Sequence, residues 1–189
     1  MRPPGVRRVL QLNRMFLLIE TDTGIRLVDQ HALHEKALWL ALNPARIEAA
    51  GRQELLIPKL VELSAAEVAT VRPLLPALAP FAIEADVFGP TTIALRAHPA
   101  ALKRCNWTAF FSALAEDSDP GKAVDRLVER IGHAAACHAA VKAGQDLSPD
   151  EQWELVRLLY ELDGLEHCPH GRPTTLDLPW TELGKRFQR

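Results

Sequence analysis

A chain of 189 residues is long enough to build one sizeable core or two small lobes that share one. Apolar residues make up 48% and charged residues 24%, and no apolar run is long enough for a helical membrane span, so a globular protein of ordinary composition is expected and a membrane-spanning helix is excluded. A net charge of −2 excludes binding of nucleic acid by bulk charge, because non-specific affinity follows the number of phosphates that Lys and Arg neutralise. Any contact with DNA must be local or delivered by a partner. The basic start MRPPGVRRVLQLNRMFLL is interrupted by Gln11, Asn13 and Arg14, which break the apolar stretch of a signal peptide, so a cytoplasmic location is expected. Cys105, Cys137 and Cys168 are odd in number and widely spaced, as reduced thiols are, which leaves metal ligation open.

Taken in chain order, RVLQLNRMFLLIETDTGIRLVD reads as two strands joined by a turn at TDTG. The segment QHALHEKALWLALN places Leu33, Ala37, Leu38 and Leu42 at three-and-four spacing, which predicts a helix closed by Pro44. QELLIPKLVEL is extended into Pro58. SAAEVATVRPLLPALAP opens with Ser64 and Glu67 at capping-box spacing, predicting a helix that Pro73 and Pro76 end or kink. FAIEADVFGPTTIALRA alternates about a Gly-Pro turn and predicts a second hairpin. HPAALKRCNWTAFFSALAED turns helical, and GKAVDRLVERIGHAAACHAAVKAG predicts a long Ala-rich helix closing at Gly144. SPDEQWELVRLLYELDG is a further helix with Ser148 as N-cap, Pro149 in the first turn and Gly164 as the stop. The tail EHCPHGRPTTLDLPWTELGKRFQR is turn-rich, then short and amphipathic. The expected class is α+β.

Ionisable groups crowd the point where GIRLV becomes a helix. His31 and Glu35, four apart, point the same way on that helix, and Asp29 sits at its mouth. Read as extended chain, Cys168 and His170 face one side, with Pro169 stiffening the backbone between them. Cys, His and carboxylate are the ligands zinc takes, and imidazole and carboxylate also suit manganese. The plainer reading makes Asp29 an N-cap, leaves His31 and His34 solvated and puts Cys168 in the core. Neither His-x-x-x-Glu nor Cys-x-His is specific alone. Cys137, among alanines, reads as helix packing, and Cys105 as core.

Four segments in order change this balance. QLNRMFLLIETDTGIRLVDQHALHEK, AACHAAVKAGQDLSPDE, CPHGRPT and the closing FQR resemble the C-terminal domain of the MutL family of DNA mismatch-repair proteins, in its endonuclease-bearing branch. The resemblance covers nearly the whole chain and includes the family's Asp-Gln-His-Ala motif with its following Glu, here Glu35. It implies that Asp29, His31, Glu35, Cys137, Cys168 and His170 converge on one metal site, with Arg172 and Arg189 near it. It also implies a dimerisation lobe, 1–52 with 168–189, and an inserted, more helical regulatory lobe, 53–167. Two positions depart from the family pattern: Leu40 stands where the motif has a second Glu, and His138 where it has Arg after Cys137. His138 keeps a hydrogen bond to phosphate when protonated but lacks the permanent charge and fork of Arg. Nothing in the chain resembles the family's ATPase domain, so a separately encoded module or an excised piece of a longer protein is expected.

The leading expectation is a metal-dependent endonuclease that nicks one DNA strand. Asp29, His31 and Glu35 would tune a manganese or magnesium ion and its water, and Cys168 and His170 would anchor zinc. The rival is a catalytically inactive dimerisation scaffold in which zinc is structural. A plain zinc-stabilised DNA-binding domain is a third reading, disfavoured by the lack of a dense basic stripe. Leu10, Leu12, Phe16, Leu18, Trp180 and Leu183 offer more apolar surface than a small lobe hides, so a dimer with itself or a paralogue is expected. Gln53, Leu56 and Pro58 in QELLIP resemble the peptide by which bacterial repair proteins dock on the sliding clamp; the plainer reading is an edge strand with Leu56 in the core. DNA, the clamp and a MutS-type mismatch-recognition protein complete the expected partners.

Overall fold

The structure, a computed structural model, describes residues 2–43, 46–48, 51–116, 124–168 and 171–189, with the side chains of 124–129 outside the description. Pro44, Pro169 and His170 therefore lie outside the described residues. The fold is α+β. It divides into two compact units, residues 1–37 with 141–189, and residues 38–140. This division differs from the boundaries near 52 and 167 expected from the sequence. It falls inside the first helix because Leu38 and Leu42 join the core of the second unit.

The first unit is built on a four-stranded antiparallel sheet. Its strands are β1 (Val6–Leu12), β2 (Phe16–Thr21), β3 (Gly24–Asp29) and, from the tail, β7 (Thr175–Pro179), in the order β1-β2-β3-β7. The sequence reading, with two strands before residue 30, missed the first turn and the strand in the tail. Asn13 and Arg14 both take left-handed backbone, φ 49 and 53, and Met15 N–H closes the turn on the Leu12 carbonyl at 3.1 Å. Gly24 is required where β3 meets β7, since a Cβ there would overlap the Leu178 carbonyl and stand 2.7 Å from Pro179 Cα. Arg26 grips Asp177 across the same pair of strands through Nε and a terminal nitrogen, at 2.5 and 2.9 Å. That bond raises the Arg26 pKa above its ordinary value.

Alternation puts Leu17, Ile19 and Val28 on one face, each fully buried. On the other face the register lines up Leu10, Leu18, Leu27 and Leu176 across all four strands. Leu10 and Leu176 are 48% and 57% exposed. Helix α1 (Gln30–Ala41) follows β3 without a break, and α5 (Pro149–Glu161) contacts β1. Ser148 caps α5, as the sequence predicts, and Glu151 completes a capping box with it. The final helix, α6 (Trp180–Arg186), starts at the Gly24 end of β3, where Trp180 N–H reaches the Thr23 carbonyl at 3.0 Å.

The second unit holds the sheet β4 (Arg52–Glu62), β6 (Thr92–Pro99), β5 (Glu84–Val87), in that spatial order. Ser64 and Glu67 form the predicted capping box of α2 (Ala65–Val71). The Glu67 carboxyl is held down to about 2, chiefly by a hydrogen bond from Ser112 and then by Ser64. As expected, the α-helix ends just ahead of Pro73, at Val71, and the chain goes on as a 3-10 helix, Arg72–Phe81. Helices α3 (Trp107–Glu116) and α4 (Val124–Ala139) complete this unit. Its core joins Ile93, Leu95, Phe110, Phe111 and Ile131, with the two phenylalanine rings edge to face at 5.1 Å. Cys105 belongs to that core, as expected.

Candidate metal centre

The strand-to-helix junction at Asp29 is the best-defined part of the candidate site. Asp29 Oδ1 accepts the N–H groups of His31 at 3.0 Å and Ala32 at 2.9 Å, so Asp29 does cap α1. One oxygen is used in this way and Oδ2 remains as a second donor atom. Asp29 also stands at the rim of a groove of about 450 Å³ lined by Leu12, Phe16, Leu27, Pro173 and Leu176.

His31 is held in one tautomer. Its Nδ1 lies 2.8 Å from the Val141 carbonyl, which only accepts, so Nδ1 carries the hydrogen and, in the neutral ring, Nε2 keeps the lone pair. That arrangement is the one found in metal-binding histidines, whose second ring nitrogen donates to a carbonyl or carboxylate. Glu35, one turn further along α1, is 6% exposed, an unusual place for a carboxylate.

The extended claw of Cys168 and His170 expected from the sequence rests on Pro169 and His170, which lie outside the described residues. Gly171 N–H returns to the Cys168 carbonyl at 2.9 Å and Cys168 N–H to the Arg172 carbonyl at 2.8 Å, forming a tight turn. Gly171 permits it with φ +77. This turn is carried next to Asp29, because Asp29 N–H bonds the Thr174 carbonyl at 2.9 Å and Val28 pairs with Thr175. Cys168 is buried and unbridged. Thr174, also buried, donates its hydroxyl to the Leu165 carbonyl and anchors the turn from below.

Asp29, His31, Glu35 and Cys168 thus belong to the first unit, as do Arg172 and Arg189, both exposed. Cys137 and His138 lie on α4 in the second unit. Among the described residues no three His, Cys, Asp or Glu side chains gather as one metal-holding group. His170, one of the six expected ligands, lies outside the description. The donor types present fit zinc and manganese, and the His31 tautomer fits a ligand. Leu40, half-buried, carries no donor where the family pattern has Glu.

Sequence reasoning missed a polar cluster under this site. Gln30 is fully buried; its amide donates to the Arg14 carbonyl at 2.8 Å and the Gln145 carbonyl at 3.2 Å, and its oxygen accepts from Gln11 at 2.7 Å. Gln11 in turn receives Leu147 N–H at 3.1 Å. The predicted helix end at Gly144 gives way to this cluster. Helix α4 stops at Ala139, and Gly144 N–H is taken by the Arg14 carbonyl at 2.9 Å.

Residues 9–147 match the family model of the MutL C-terminal dimerisation domain. The chain is 34% identical to a DNA mismatch repair protein MutL of Rhodopseudomonas palustris, over all of this chain and 32% of that protein. It is 35% identical to a protein of the same name from Nitrobacter hamburgensis, again over all of this chain and 32% of the relative. The chain therefore spans about a third of the length of these relatives. No helix among the described residues is long and apolar enough to cross a membrane.

Proposed function

This chain belongs to the MutL family of DNA mismatch-repair proteins through the C-terminal dimerisation domain, and from that premise we propose that it is a dimeric, metal-dependent endonuclease module that nicks one DNA strand. The observation that carries the reading is His31, whose Nδ1 is held on the Val141 carbonyl and whose backbone N–H is held by the capping carboxylate of Asp29. In this reading Asp29, His31, Glu35, Cys168 and His170 hold zinc together with manganese or magnesium. Such ions polarise a phosphodiester and bring bound water into the range where it ionises near neutral pH. The protein's own part is positional. The cap fixes the Asp29 carboxylate, the Val141 carbonyl fixes the His31 ring, and the turn at Gly171 fixes the backbone at Cys168. Arg172, Arg189 and His138 are the groups assigned to DNA phosphate, the arginines as charged forks.

The chain is expected to nick supercoiled DNA in manganese, to lose that activity on chelation and to regain it when metal is restored. Gel conversion of supercoiled to open-circular DNA measures it. Bound zinc without nicking, under conditions that support an active family member, would instead assign the chain as a scaffold with structural zinc, the direction in which Leu40 and His138 lean.

Delivery to DNA is assigned to the sliding clamp through Gln53, Leu56 and Pro58. In β4, Glu54 pairs with Ala97 and Lys59 with Leu95, so residues 55–58 stand opposite Arg96 alone and bulge from the sheet. Leu55 turns back to the core, while Leu56 is 100% and Ile57 80% exposed. The segment is an edge strand, as the plainer reading has it, but Leu56 is not in the core. A fully exposed leucine needs a partner to gain anything from its apolar surface, and its burial is worth about 1.5–3 kcal/mol. Replacing Gln53 and Leu56 together by Ala should weaken clamp binding about ten- to hundredfold and remove clamp-stimulated nicking, with zinc content unchanged. Equal stimulation of both proteins would strike this segment from the functional account.

A further inference from the structure

We propose that His34 is a positioning residue that sets the tautomer of His31 through the peptide groups of Val141. The two histidines lie one turn apart on α1 and hold opposite poles of one residue. Val141 N–H points to His34 Nδ1 at 3.0 Å, and the Val141 carbonyl lies 2.8 Å from His31 Nδ1. A backbone amide only donates, so His34 Nδ1 holds a lone pair and its ring is in the Nε2–H form. A carbonyl only accepts, so His31 is in the opposite, Nδ1–H form. Neighbouring rings of one chemistry are thus driven into opposite tautomers by one residue between them.

The division of labour follows from geometry. A carbonyl can orient His31 only if its own residue is prevented from rotating, and Val141, 4% exposed, has its N–H secured by His34. The segment beyond is anchored separately: Gly144 N–H on the Arg14 carbonyl, the Gln145 carbonyl on Gln30, and Leu147 N–H on Gln11. Loss of the His34 acceptor therefore leaves that segment docked and releases Val141 alone. His31 then loses the fixed acceptor that holds its lone pair at Nε2. The consequence for metal rests on the endonuclease reading above; the tautomer assignment does not.

Two-bond ¹H–¹⁵N spectra of the metal-free chain test the core of the proposal. His31 should show the Nδ1–H pattern and His34 the Nε2–H pattern; the reverse assignment of either ring overturns it at once. In His34→Leu, His31 should become a mixture of tautomers, and zinc affinity measured by chelator competition should fall about ten- to hundredfold. His34→Asn places an amide oxygen where Nδ1 stands and should restore both readouts. Thermal melting establishes that the variants fold alike. A folded His34→Leu with a pure Nδ1–H His31 and wild-type zinc affinity, or a folded His34→Asn that rescues neither readout, refutes the role. If the wild-type chain takes up no zinc, the endonuclease reading falls, and the spectra alone still decide the role of His34.

Discussion

Asp29→Asn is expected to abolish nicking while the fold persists. Asn caps helices about as well as Asp, and its Oδ1 can still accept the N–H groups of His31 and Ala32. Stability should therefore change by no more than about 0.5 kcal/mol. What disappears is the anionic second oxygen, the atom assigned to metal. Disturbing a group one shell away from a metal typically costs about ten- to hundredfold, so removal of a direct anionic ligand should lower the nicking rate by at least about a hundredfold. Matched melting curves with separated nicking rates are the expected pair of observations. If both proteins nick at one rate, the junction at Asp29 has only its capping role, and the catalytic assignment is wrong.

This outcome bears on what a sequence discloses. Helix α1 is legible because its apolar residues follow the helical period: Leu33, Ala37, Leu38 and Leu42 are all buried as that spacing predicts. The capping box at Ser64 and the N-cap at Ser148 are equally local and equally legible. The turn at Asn13 and Arg14 is not, because neither residue is the glycine that usually marks such a turn. It is supported instead from afar, through the Arg14 carbonyl, which takes Gly144 N–H and the Gln30 amide. Strand β7 escaped for a related reason: five residues, two of them exposed leucine and aspartate, become a strand only when β3 supplies the ladder.

The candidate site divides along the same line. Asp29, His31 and Glu35 stand out by residue type and spacing, and Cys168 by its motif. The groups that orient them are backbone: the Val141 peptide groups, the Thr174 carbonyl and the Arg172 carbonyl. Backbone groups carry no letter in a sequence, so the support of the site appears only with the fold. The QELLIP segment shows the converse. Its letters left open whether Leu56 is core or surface, and only the bulge in β4 shows it exposed.

Leu10→Glu combined with Leu176→Glu is expected to convert the chain from dimer to monomer. The proposed interface is the open face of the first unit's sheet, where Leu10, Leu18, Leu27 and Leu176 form one row and Leu12 and Phe16 flank it. A row of this kind, with its outer members about half exposed, is an unusual surface for an isolated unit and matches what a family defined by a dimerisation domain requires. A two-fold dimer uses the same patch twice, so each substitution introduces two carboxylates into one interface. An unpaired buried charge costs several kcal/mol or shifts its own protonation instead, so dimer affinity should fall by at least about a thousandfold, at ~1.4 kcal/mol per factor of ten. Neither Leu10 nor Leu176 is buried in the single chain, and the opposite face, with Leu17, Ile19 and Val28, holds the first unit's core. The variant should therefore stay folded, with an unchanged far-ultraviolet spectrum. Sedimentation equilibrium at about ten to a hundred micromolar should find wild type dimeric and the double variant monomeric. A wild-type monomer in that range, or a variant that dimerises as tightly as wild type, would remove this face as the interface.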